Sequence, residues 1–183
     1  SEVASALHAI GARPIMAFAT EEVEEITSKA DALVLNLGTP TPDRIEAMIR
    51  AGRQANSQSH PVLFDPVGVG ASRFRIESSI RILSDLRVTI IRGNQAEIGI
   101  LAGMGGHLAG IDAVKGPKDL YRAAEHLSNK TGAIVAATGP QDWIVSPEKR
   151  VIVENGHPMM GQVTGMGCML TAVLGAFAAV ERD

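Results

Sequence analysis

The chain has 183 residues, 45% of them apolar and 20% charged, with a net charge of −3. That length suits one domain burying about 70% of its unfolded surface, and the composition is too apolar for a disordered chain. The interspersed charges offer no basic groove to nucleic acid, no apolar run reaches the roughly 20 residues of a membrane span, and no signal-peptide core opens the chain.

Taken in order, the elements alternate. Residues 2–10 carry a helical apolar pattern that ends at Gly11, a natural C-cap. Thr20-Glu21-Glu22-Val23 reads as an N-cap with acids in the first turn, opening a helix toward Ala30. Ala32–Leu35 is a short buried strand, followed by a helix from Thr41-Pro42-Asp43 to about Ala55. Pro61–Phe64 is a second strand, ending at Asp65. A helix near 75–84 precedes the strand Val88–Ile91, and another begins near Asn94. The Gly-rich stretch 103–110 reads as a loop. A helix at 117–129 leads to the strand Ala133–Ala137 and to Thr138-Gly139; residues 142–154 read as a hairpin, and a last helix follows Gly167. Short apolar strands separated by helices predict an α/β fold, with a mostly parallel sheet covered by helices on both faces. Ligands on such sheets sit beyond the carboxyl ends of the strands.

The chemistry-bearing residues cluster at those ends. Val163-Thr164-Gly165-Met166-Gly167-Cys168 places two glycines before an apolar helix, where first-turn N–H groups and the helix dipole favour an anion. Asp65 precedes Pro66-Val67-Gly68-Val69-Gly70; it either holds Mg²⁺ through water or caps the turn that follows. Asn94 and Glu97 stand one helical turn apart, as a second magnesium-organising carboxylate or as a capping box. Arg92 is either a phosphate clamp or one more surface arginine among Arg73, Arg75, Arg81 and Arg87. Thr138 and Gly139 hold phosphate or make a turn; Asp142 reads as turn chemistry, and Met16 as packing. The one cysteine, Cys168, is either inert or, at a helix N-terminus, a thiol of lowered pKa. It cannot form an internal disulfide, which points to a reducing cytoplasmic setting. The five histidines show no metal-ligand spacing.

Pro14-Ile15-Met16-Ala17, Leu35-Asn36-Leu37-Gly38-Thr39, Asp65–Ala71, Ile91–Ile98 and Val163–Cys168 together resemble hydroxyethylthiazole kinase, in order and along the whole chain. That family belongs to the ribokinase-like superfamily, so the resemblance implies a three-layer sandwich. Its Asn-x-x-Glu segment corresponds to Asn94–Glu97, and its terminal Gly-x-Gly-Asp to Gly165–Cys168, with the cysteine typical of the thiazole branch. The implied reaction is ATP-dependent phosphorylation of the primary alcohol of 5-(2-hydroxyethyl)-4-methylthiazole, in thiamine salvage. By the same resemblance Asp65 and Glu97 carry Mg²⁺, and Arg92, Thr138, Gly139 and Asn94 meet ATP. Met16, Gly165 and Gly38 line the thiazole pocket, and Cys168 takes the position of the superfamily's base. The resemblance also implies a homotrimer with active sites between subunits, and a domain over 1–183 shortened at both ends.

Met166 departs from the family, which usually has threonine between the glycines; its thioether crowds the anion hole or points into the sheet. The rival reading is a non-catalytic nucleotide-binding or sensory module. Related pyrimidine kinases and dehydratases keep aspartate at position 168, and a dinucleotide oxidoreductase would need a second glycine after Gly38-Thr39-Pro40.

Overall fold

The computed structural model describes residues 2–109 and 112–181. Helix α1 (Glu2–Ala9) and α2 (Val23–Ser28) precede β1 (Leu33–Asn36), α3 (Pro42–Ser57) and β2 (Val62–Asp65). Then come α4 (Arg73–Asp85), β3 (Ile90–Asn94), α5 (Gln95–Leu101), and the short strands β4 (His107–Ala109) and β5 (Asp112–Lys115). Helix α6 (Leu120–Thr131), β6 (Ile134–Thr138), β7 (Asp142–Val145), β8 (Arg150–Val153) and α7 (Met166–Val180) complete the order.

The main sheet has the order β1-β2-β3-β6-β7-β8; its first four strands are parallel, and the β7–β8 hairpin closes one edge antiparallel. Alternation along each strand sorts the two faces. Leu35, Val62, Phe64, Ile91, Val135 and Ala137 point into the principal core, against Ile45 and Ile49 of α3, Ile82 of α4, Ile98 of α5 and Leu127 of α6. Phe64 is fully buried there, and truncating it to alanine would cost about 3–5 kcal/mol. The opposite face lies under α7, which α1 packs against in turn. Because both faces are covered, all four residues of β2 are buried.

Local chemistry sets the element starts. The Thr41 hydroxyl accepts the Arg44 N–H at 3.2 Å ahead of Pro42, and the Asp119 carboxylate accepts the Arg122 N–H at 3.0 Å. Helix α6 ends on Gly132 at φ +74°, where a glycine avoids the strain of the left-handed region.

Four expectations are corrected. Helix α2 begins at Val23 with no side-chain cap, because the Thr20 hydroxyl bonds Glu21 instead. Strand β3 runs to Asn94 rather than ending at Ile91, so Arg92 sits inside a strand; pairing with β6 carries the ladder that far. The stretch 103–110 is not all loop, since His107–Ala109 pairs antiparallel with Asp112–Lys115, a strand that the sequence pattern does not signal. Gly110 lies outside the described residues. Arg75 is not a plain surface arginine: it is half-buried, and its Nη1 donates to the carbonyls of Leu37 at 2.8 Å and Val67 at 2.6 Å. It thereby ties together the loops that follow β1 and β2.

Candidate active site

The same alternation that builds the core places a row of polar residues on the α7 face. Asn36 and Asp65, the last residues of β1 and β2, are register partners, and they share that face with Val34 and Leu63. Extending the β2–β3 register by one residue sets Asp65 level with Arg92. Thr138 ends β6 opposite Asn94. The polar ends of four parallel strands thus meet where one helix begins.

Helix α7 starts on Gly165 at φ +84°, with no side-chain cap. The Met166 N–H bonds the Val163 carbonyl at 3.3 Å and the Met169 N–H bonds Gly165 at 2.9 Å, so Gly167 and Cys168 supply the first-turn donors for an anion. Met166 is half-buried and is not among the residues packed against the core.

Three positions four residues apart set this helix on the sheet. A Cβ on Gly167 would stand 2.3 Å from Nη1 of Arg92, so the guanidinium packs directly against the helix at this glycine. The Thr171 hydroxyl bonds Asp65 Oδ2 at 2.9 Å and the Gly167 carbonyl at 3.1 Å. A Cβ on Gly175 would stand 2.9 Å from Val34 Cγ2. The 167/171/175 stripe therefore lies successively on β3, β2 and β1.

Asp65 is wholly buried. Its Oδ2 accepts from Thr171 and from Asn36 Nδ2 at 3.2 Å, while its Oδ1 has no hydrogen-bond partner. Arg92 is its counterpart. The guanidinium donates through Nη2 to the Thr138 hydroxyl at 2.7 Å, while its buried Nε has no partner. One orphaned acceptor and one orphaned donor within a buried cluster mark a place built for something polar. Burial pushes the Asp65 carboxyl above its ordinary pKa, and Arg92, Thr171, Cys168 and Asn36 oppose that push.

Glu97 is nearly as deep. Its Oε1 accepts the Gly68 N–H and its Oε2 the Asn94 N–H, each at 2.8 Å, while Asn94 Oδ1 accepts from Ala96 and Glu97 at 3.0 Å. The capping box is thus real, and through Gly68 at φ +63° Glu97 also anchors the turn after Asp65. Burial raises its pKa to about 7, assisted by the Asp65 charge and opposed by the two backbone donors and Arg92.

Cys168 is half-buried beside Asp65 and Asn36. Of the two readings of Cys168, the thiol of lowered pKa fails. Desolvation raises it and the neighbouring Asp65 charge adds to that, outweighing Asn36 and Arg92, so the side chain is a neutral thiol at physiological pH.

The remaining predicted residues are placed less centrally. The Gly38 N–H is taken by Asn36 Oδ1 at 2.8 Å, and a Cβ at Gly38 would strike that same oxygen, so its glycine serves the Asn36 turn. The Gly139 N–H bonds Asp142 Oδ1 at 2.9 Å, which bears out the turn role of Asp142. Met16 stands outside the Asp65 network, 62% exposed on the segment between α1 and α2. A concavity of about 470 Å³ between Met104, Tyr121, Glu125 and Asn129 contains none of these residues.

A sequence model of the Hydroxyethylthiazole kinase family matches residues 1–183. The chain belongs to the hydroxyethylthiazole kinase family. A hydroxyethylthiazole kinase of Thermoanaerobacter pseudethanolicus is 51% identical over 96% of this chain, and the match covers 66% of that relative. The chain therefore spans just under two thirds of the length of such relatives. The structure of a hydroxyethylthiazole kinase protein from Pyrococcus horikoshii OT3 superposes with a TM-score of 0.88 at 38% identity, over 99% of this chain and 67% of that one. A ribokinase-like superfamily protein from Enterococcus faecalis, at 15% identity and a TM-score of 0.61, shares the fold over 87% of this chain and 51% of its own. The fold is accordingly ribokinase-like, as the resemblance implied.

In this member of the hydroxyethylthiazole kinase family, Asn36 and Thr171 are the site residues that sequence reasoning misses. Thr171 leaves a trace in the 167/171/175 spacing of small side chains on an otherwise apolar helix. Asn36 is signalled only by a polar residue ending an apolar strand two positions before a glycine.

Proposed function

We propose that the full-length protein transfers the γ-phosphoryl group of ATP to the primary hydroxyl of 5-(2-hydroxyethyl)-4-methylthiazole, a step of thiamine salvage. The observation that carries this reading is the packing of the Arg92 guanidinium on Gly167, beside Asp65 and Cys168, at the uncapped start of α7. Positive charge and first-turn N–H groups converge there on one point, as stabilisation of a transferring phosphoryl group requires.

Arg92 and Thr138, with Asn94 and the Gly139 turn, whose N–H Asp142 already holds, lie at the ATP phosphates. The donor set fits Mg²⁺: Asp65 offers a buried oxygen without a partner, and Glu97 keeps lone pairs beyond its two N–H bonds. Hard oxygen donors acting through water suit this ion, which when bound neutralises charge on the bridging phosphate oxygens. Gly165, Gly38 and Met16 line the thiazole pocket, and the substrate hydroxyl lies against Cys168. A loose transition state needs little base assistance, so a neutral thiol there positions the hydroxyl rather than deprotonating it. Ile15, Met16 and Phe18, exposed at 66%, 62% and 55%, support a homotrimer that completes the pocket between copies; light scattering of the full-length protein tests it, and a monomer mass would rule it out. The single cysteine supports a cytoplasmic setting.

The test is mass-spectrometric detection of thiazole phosphate from full-length protein, MgATP and hydroxyethylthiazole, with a control lacking magnesium. Magnesium-dependent product is the expected result. ATP binding without product would replace this reading with a nucleotide-binding module.

A further inference from the structure

Asp65 is held by two side chains from two different elements, and both use the same oxygen. Asn36 reaches Oδ2 from the end of β1, and Thr171 reaches it from the second turn of α7. At its other end Asn36 Oδ1 takes the Gly38 N–H, while the single Thr171 hydroxyl proton is shared between Asp65 Oδ2 and the Gly167 carbonyl, which keeps the hydroxyl in the gap between helix and strand. The carboxylate is therefore fixed by groups that are themselves fixed, and Oδ1 is left without a partner inside a buried cluster that includes Arg92 and Cys168. A buried carboxylate oxygen is costly to leave unpaired, so the bracket holds the group in an orientation that it would otherwise relax.

We infer that Asn36 and Thr171 are positioning residues: by occupying Oδ2 of Asp65 they aim Oδ1 at the reacting centre. The spacing of α7 makes this possible. Gly167 and Gly175, each four residues from Thr171, let the helix lie close enough to β3 and β1 for a short threonine side chain to span the gap to β2. Valine has the shape of threonine without its hydroxyl donor, whereas serine keeps the donor and loses only a methyl group. That pair of substitutions separates orientation from packing.

The inference rests on the kinase reading for its kinetic arm only. In the full-length enzyme, Thr171→Val should lower kcat by about 10- to 100-fold, the usual cost of losing an outer hydrogen-bond partner of a functional ligand. KM for ATP and the melting temperature should change little, and Thr171→Ser should restore most of the rate. Asn36→Ala should lower kcat in the same way. A crystal structure of Thr171→Val supplies the readout that needs no turnover, and the Asp65 carboxylate is expected to rotate away from its wild-type orientation. An unmoved carboxylate overturns the inference, as does a Thr171→Val enzyme of wild-type kcat. If the wild-type protein makes no thiazole phosphate, the kinase reading fails, and the carboxylate orientation still decides the positioning role.

Discussion

At the scale of single residues, the environment of Cys168 decides its role. Desolvation and the Asp65 carboxylate both disfavour its thiolate and outweigh Asn36 and Arg92. It is the one cysteine of these 183 residues, and peptide mapping after alkylation follows it. Iodoacetamide should modify it more slowly than free cysteine at pH 8, and the rates should converge in denaturant; a faster native rate would contradict the neutral thiol. Cys168→Ala should slow turnover by about tenfold, and a loss beyond about four decades would exceed what acid–base assistance supplies and require a direct chemical role. Gly167 is a second case. Its Cβ has no room beside Arg92, although its backbone is ordinary for a helix. Gly167→Ala should displace the guanidinium and lower kcat/KM for ATP by about 10- to 100-fold, since hydrogen bonds to charged groups are worth ~1.5–3 kcal/mol. An unchanged kcat/KM would mean that Arg92 moves without loss.

At the scale of elements, α7 matters most because it carries the anion-binding turn, Cys168 and Thr171 on one rigid body. Its seat on β1 depends on Gly175, whose missing side chain lets Val34 come close. Gly175→Val would wedge helix and strand apart. Overpacking of this kind costs about 1–3 kcal/mol, visible as a lower urea midpoint with an unchanged m-value. Activity should fall with it, because Thr171 can no longer reach Asp65; a shifted midpoint with full activity would separate helix seating from the site. Helix α5 shows the opposite arrangement. Its N-terminus is closed by its own capping box, with one local N–H on each Glu97 oxygen, whereas α7, starting on a glycine, keeps its end open.

At the scale of the whole molecule, two buried carboxylates set how stability responds to pH. Glu97 has a folded pKa of about 7, raised from 4.5. Its contribution to stability is therefore whole below about pH 4.5, is lost as pH rises through 7, and levels off above that. The span amounts to about 3 kcal/mol for Glu97, and Asp65 acts in the same direction. Denaturation midpoints of wild type and Glu97→Gln, measured in chelator from pH 4.5 to 8, should diverge as pH rises, the variant gaining on wild type, because glutamine mimics the protonated carboxyl and removes the titration. Parallel curves would show that Glu97 does not titrate in this window. Much of this architecture was legible beforehand: the parallel α/β sheet follows from short apolar strands between helices, and Asp65, Arg92 and Thr138 announce themselves as polar residues at or near strand ends. Cys168 was found by its place after the glycines, but its titration was left open between an inert and an activated thiol, because a helix N-terminus is visible in sequence and a desolvating neighbour is not. By itself, the sequence determined the order of elements, the face each strand residue takes and the residue types at the strand ends, since periods of 2 and 3.6 are local properties of the backbone. Only the tertiary structure decided which of those residues touch. Thr171 lies 106 positions from Asp65, and the closeness of α7 to three strands depends on contacts that no local pattern records.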